Sequence, residues 1–149
     1  MAASHLALAD AGLNLQHESV DATRVGVIIG SAFGGMMSFE QAANNLASSG
    51  PASVDPYTVP MILGNTAPGI VAMEVGAKGL NFAVQTACAT ATHAIGEALR
   101  LLRNGDADVI IAGGSEAPLT PLSYAGFCNL MAMNTQYNDG DLGNELNLF

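Results

Sequence analysis

Two runs leave this chain little freedom: VGVII at 25–29 and DVIIAGG at 108–114 are apolar almost without interruption. A strand with one wet face alternates apolar and polar residues. An unbroken run is the pattern of a strand buried on both faces, as in parallel sheets. The stretch NFAVQTA, 81–87, also reads as a strand. Parallel strands need long crossovers, and helical patterns stand between these runs, at about 39–48, at about 65–76 and from Cys88 onward. The last of these places Ala91, Ile95, Ala98, Leu99 and Leu102 on one predicted face and stops at Asn104-Gly105, with Arg100 and Arg103 near its C-terminal end. Residues 4–11 read as the end of a further helix, with Leu6, Ala9 and Leu13 at near-helical spacing and Gly12 as its stop. Strands alternating with helices make an α/β layered fold with a substantially parallel sheet.

Composition narrows the function. Half of the 149 residues are hydrophobic, 11% are charged and 17 are glycine, so tightly packed layers are expected, with much of the surface meeting another surface. Net charge is -9 and the basic residues are only Arg24, Lys78, Arg100 and Arg103, which gives no basic stripe to neutralise phosphates; nucleic-acid binding is not expected. No apolar run reaches the length of a membrane span, and no secretory pattern opens the chain. Cys88 and Cys128 therefore read as reduced thiols, with no Cys/His cluster of metal-binding type and no cofactor motif. GSAFGGMM at 30–37 lacks both the G-K-[ST] ending and the G-x-G-x-x-G spacing of a phosphate loop.

Cys88 is the candidate for chemistry. It stands where an apolar strand meets a long helix, so its sulfur falls at a helix N-terminus, where the dipole and free N–H groups favour a thiolate. Ala87, Ala89 and Ala91 leave room for a sharp turn and a substrate carbonyl. The competing reading is a buried cysteine acting as a small hydrophobe, and Cys128, in GFCNL, is expected to pack in that way. His93 lies five residues on, about 140° away in helical projection, and reads as structural. Met36, Met37, Met61, Met73, Met131 and Met133 share no helical spacing and read as core and interface filling.

The stretch QTACATATHAIGEALRLLRNGDADVIIAGGSEAPLTPLSYAGF resembles the active-site region of elongating β-ketoacyl-[acyl-carrier-protein] synthases, with T-A-C-[AS]-[TS], then G-[DE]-A-D and A-G-G-[ST]-E. VGVIIGSAFGGM and YTVPMILGNTAPGIVAMEVGAKG extend the likeness to about Asp139. The resemblance implies a thiolase-like fold of two similar halves, each a mixed five-stranded sheet with helices on both faces, of which residues 1–138 form most of the first, followed by an acidic irregular tail at 139–149. It implies that Cys88 accepts an acyl group as a thioester, with its own N–H in the oxyanion hole, before malonyl-loaded acyl carrier protein is decarboxylated and attacks. Phe33 falls where a side chain limits acyl-pocket depth, unless it is simply core, and Thr58 where the family lines its partner's pocket across a homodimer. Asp106, Asp108 and Glu116 match motif acids that hold local structure.

The family's two decarboxylating histidines belong to the second half and match none of His5, His17 and His93. The expected R-P-[FW]-D continuation is replaced by GDLGNELNLF, so the chain alone is expected to be inactive. The alternatives are a type II polyketide ketosynthase, a truncated dimerisation partner, a chain-length-factor-like partner, which Cys88 argues against, and a thiolase, which the TACATATHAIG and AGGSEA motifs fit less well. The compartment implied is the cytoplasm, or a plastid or mitochondrion if a transit segment has been lost.

Overall fold

Val25–Gly30 is buried at every position, and this strand, β1, organises the chain. In the computed structural model, which describes residues 1–15 and 20–134, the order of elements up to β1 is a helix α1 (Ala2–Asp10), a 3₁₀ turn and β1. There follow α2 (Met36–Ser49), α3 (Thr58–Ile62), α4 (Thr66–Val75), β2 (Asn81–Phe82), α5 (Thr90–Asn104), β3 (Val109–Gly114) and α6 (Pro121–Asn129). The three strands form one parallel sheet in the order β2-β1-β3, so the first strand is the central one.

Side chains of β1 alternate between two cores. Val27 and Ile29 face α4 and join Val71, Ala72, Val75 and Ile111. Ile28 faces the other way, against Ala94, Ala98 and Leu101 of α5. Each fully buried Val or Ile contributes roughly 1.5–3 kcal/mol, so β1 alone accounts for much of what holds the layers together. The double-sided burial expected of 25–29 is present. The expected burial of 108–114 is only partial: Ile111 is buried, whereas its neighbours are half-covered, because among the described residues β3 pairs with β1 alone and is an edge.

The helix stops follow the glycines. At the end of α1, Gly12 takes φ +65°, its N–H donates to Ala9 and that of Leu13 to Leu8, the pairing of a Schellman cap. Gly76 and Gly105 close α4 and α5 in the same left-handed conformation.

Three expectations are corrected. The buried face of α5 is Thr90, Ala94, Ala98 and Leu101; Ile95, Leu99 and Leu102 are exposed. The reason is steric, since a helix lying closely on a sheet must turn its small side chains toward it, and periodicity alone does not say which apolar stripe that is. On α1 likewise, Leu6 is 70% exposed while Leu8 packs on the core. The strand expected over 81–87 ends at Phe82. Phe82 stands opposite Ile28, and β1 itself ends two residues later at Gly30, so a strand running on to residue 87 would outrun its partner.

The sheet described is wholly parallel, the expected mixed sheet being represented here by three parallel strands. The described residues fall into two compact units, Met1–Pro118 and the segment from Leu119 onward. The latter holds α6, started by Pro121 and capped by the Thr120 hydroxyl, which accepts the Ser123 N–H. The boundary expected at 138/139 and the acidic tail lie outside the described residues, as does His17. Methionines do not fill the core, which is built of Val, Ile, Ala and Leu; Met37, Met73 and Met131 are 61%, 78% and 92% exposed.

Candidate active site

Before α5 begins, the chain makes a tight 3₁₀ turn, Ala87–Ala89, with Cys88 at its centre. Ala87 has φ +51°, a left-handed conformation that costs a residue with a Cβ roughly 1–2 kcal/mol. Such strain persists only where surroundings over-determine it, and here they do. The Thr86 N–H donates to Thr90 Oγ1 (2.9 Å), the Ala89 N–H donates to the Thr86 carbonyl (3.1 Å), and Thr86 Oγ1 lies 2.8 Å from His93 Nδ1. His93 thus braces the turn through Thr86, consistent with a structural reading. The result is an exposed, free Cys88 on an elbow between a strand and a helix, with its own backbone N–H in the same turn.

Two glycines seat the elbow. Gly30 and Gly114 are register partners at the C-terminal ends of β1 and β3. A Cβ on Gly30 would stand 2.5 Å from the Val84 carbonyl oxygen and overlap the Thr90 methyl, and one on Gly114 would stand 2.8 Å from Ala91 Cβ. Without side chains there, the first turn of α5 comes down directly onto the carboxyl edge of the sheet, the edge where open parallel sheets bind ligands.

The turn after β1 is held beside this edge. Glu116 Oε2 accepts from the Ala32 N–H (2.5 Å), the Phe33 N–H (3.1 Å) and the Ser31 hydroxyl (3.2 Å), while Ser31 Oγ accepts the Gly34 N–H (2.8 Å). Gln85 Nε2 donates to the Ala32 carbonyl at 2.8 Å, tying this turn to the segment that carries Cys88. Phe33 is 44% exposed and so is not a core residue. Next to the turn lies a cavity of about 350 Å³ whose lining includes Met36, Met61, Leu63, Ile70 and Glu116.

Thr58 opens α3 and lines a separate cleft with Met37, Gln41, Asn45 and Met61; neither Cys88 nor Phe33 belongs to that cleft. Within one chain, therefore, Thr58 is not brought to the elbow. Cys128 is exposed on α6, where Ser123 is the buried position, so the expectation that it packs is corrected. His5 Nε2 lies 3.4 Å from Glu74 Oε1 at an exposed position. On the far side of the sheet, Arg24 forks onto Asp108, with Nε and Nη2 each 2.7 Å from a carboxylate oxygen, and Nη2 also donates to the Gly105 carbonyl. These hydrogen bonds hold the Asp108 carboxyl below its usual range. Asp108 and Glu116 thus hold local structure. Among the described residues, no group of three His, Cys, Asp or Glu side chains could hold a metal, and no helix is long and apolar enough to cross a membrane.

Sequence reasoning missed the left-handed Ala87, the two seating glycines and Gln85. The glycines were visible as the ends of VGVIIG and VIIAGG, but only the register pairs them.

Comparison with known proteins agrees with this arrangement. The chain is 46% identical over 133 residues to 3-oxoacyl-[acyl-carrier-protein] synthase 2 of Staphylococcus aureus, covering 89% of this chain and 32% of that protein. It is 44% identical over 139 residues to the synthase 2 of Rhizobium meliloti (strain 1021), covering 93% and 33%. The chain thus spans about a third of the length of these relatives. Among solved structures, a β-ketoacyl synthase from Burkholderia phymatum STM815 superposes with a TM-score of 0.78 at 30% identity, over 94% of this chain and 34% of that one. A type II polyketide synthase acyl-carrier protein in complex with its ketosynthase gives 0.80 at 28% identity, over 89% and 34%. The family profile described as "Beta-ketoacyl synthase, N-terminal domain" matches residues 1–141, and with the thiolase-like α/β layering and the cysteine elbow already in view, the chain belongs to the β-ketoacyl synthase family.

Proposed function

We propose that this chain carries the acyl-accepting site of an elongating condensing enzyme of fatty acid synthesis, with Cys88 as the nucleophile. The observation that carries the reading is the exposed cysteine on a strained elbow at the carboxyl edge of a parallel sheet. In the first half-reaction the Cys88 thiolate attacks the thioester carbonyl of an acyl-loaded carrier protein, the Cys88 N–H stabilises the oxyanion, and the carrier thiol leaves. In the second, malonyl-loaded carrier protein loses CO2 and its carbanion attacks the Cys88 thioester. Phe33 bounds the acyl tail, and Thr58 serves the site of a second copy across a homodimer. No cofactor takes part. The working compartment is that of the carrier protein, the cytoplasm or an organelle that houses the same pathway.

Residues that would decarboxylate malonate have no counterpart in His5 or His93, the first paired with Glu74 and the second with Thr86, so this chain alone should accept acyl groups without extending them. The test is incubation with acyl-loaded carrier protein and peptide mass spectrometry. An acyl adduct on Cys88 that is lost in Cys88→Ala supports the reading; acylation unaffected by that substitution sinks it. A type II polyketide ketosynthase is the second reading, favoured by the likeness to the ketosynthase structure above. It would be distinguished by transfer from polyketide but not from saturated acyl thioesters.

A further inference from the structure

Gln85 is the one polar side chain in the run FAVQ that enters the cysteine turn, and neither strand pairing nor the core accounts for it. It is exposed, yet its amide is aimed: Nε2 donates to the Ala32 carbonyl at 2.8 Å. The N–H of that same Ala32 donates to Glu116 at 2.5 Å, and the next N–H, of Phe33, donates to the same oxygen at 3.1 Å. Ala32 is therefore clamped on both sides, by Glu116 beyond the end of β3 and by Gln85 from the chain that leads into Cys88. The residues that follow, Gly34 at φ +65° and Gly35, bring no side chain to anchor the turn.

We propose that Gln85 is a positioning residue for acyl-chain length: its amide holds the turn that presents Phe33, so the depth of the acyl site is set from the segment that carries the nucleophile. The inference rests on the reading of Phe33 as the bound on the acyl tail. An exposed hydrogen bond adds little to global stability, so its loss should loosen the Ala32 carbonyl side of the turn, which Glu116 still holds through the Ala32 and Phe33 N–H groups, without unfolding the chain. A turn loosened on that side lets Phe33 shift and admits longer tails.

The experiment follows Cys88 acylation by peptide mass spectrometry from carrier-protein thioesters of increasing straight-chain length, alongside thermal denaturation. It compares the native chain, Gln85→Met, which keeps length and removes the donor, Gln85→Asn, which keeps the amide but falls short of Ala32, Phe33→Ala, and the Phe33→Ala/Gln85→Met double variant. Both Gln85 variants should raise the ratio of octanoyl to hexanoyl transfer by about tenfold, the discrimination carried by a couple of buried methylenes. The melting temperature should stay close to native, and the double variant should match Phe33→Ala alone, since both act on one bound. A native length profile in the Gln85 variants, with a broadened one in Phe33→Ala, overturns the role of Gln85 and leaves the Phe33 reading standing. Unchanged profiles in all variants overturn both. A lowered melting temperature with an unchanged profile reduces Gln85 to a structural tie and also overturns the proposal.

Discussion

Gly30 lies directly beneath the nucleophile helix: a Cβ at Gly30 would collide with the Thr90 methyl and stand 2.5 Å from the Val84 carbonyl oxygen. The conflict involves backbone and a buried threonine, neither of which can swing aside. Gly30→Ala should therefore destabilise the chain by about 1–3 kcal/mol, the usual cost of overpacking, and displace the Cys88 turn. Denaturant titration together with the Cys88 alkylation rate checks this; a native midpoint and rate would mean that the elbow is not seated on Gly30.

Cys88 and Cys128 are both exposed, so exposure alone predicts equal reaction with iodoacetamide. A nucleophile on an elbow at a helix start should react faster, by about tenfold or more. Time-resolved peptide mapping decides between them, and preferential labelling of Cys128 would remove Cys88 from its assigned role.

The Asp108 carboxyl is held below its usual range by its hydrogen bonds from Arg24. A depressed folded value means that the stabilisation is fully present above the ordinary carboxylate range and is lost as pH falls through the lowered value. Asp108→Asn should lower the melting temperature by no more than a few degrees at neutral pH, and the difference from the native chain should close on acidification below the ordinary range and shrink in high salt. A difference that grows on acidification contradicts this sign.

Among the described residues β2 is an edge, paired with β1 on one side only. In a chain carrying both halves of the fold, we expect the segment 81–87 to pair with its two-fold mate, because an uncovered edge next to apolar residues invites association. Ala83→Pro should weaken that dimer. Light scattering that finds the oligomer unchanged would place the interface elsewhere.

Much of this was legible along the chain, and the pattern of what was not has a physical cause. VGVII announced a strand buried on both faces because no polar side chain interrupts it, and Gly12, Gly76 and Gly105 announced helix ends because their left-handed conformations are available cheaply only without a Cβ. Cys88 was likewise marked by its neighbours, since small residues between an apolar run and a helix leave one place for a turn.

Tertiary structure decided what depends on neighbours distant in sequence. The buried stripe of α5 is Thr90, Ala94, Ala98 and Leu101: the first three are small enough to let the helix approach the sheet, and Leu101 packs in the same core as Ile28 of β1. The left-handed Ala87 is held by its neighbours: the Thr86 N–H donates to Thr90 Oγ1 and the Thr86 carbonyl accepts the Ala89 N–H. Gly30 and Gly114, 84 positions apart in sequence, become one seat only through strand register. Local propensity is written residue by residue and can be read so; close approach is a relation between segments, settled only when they are packed.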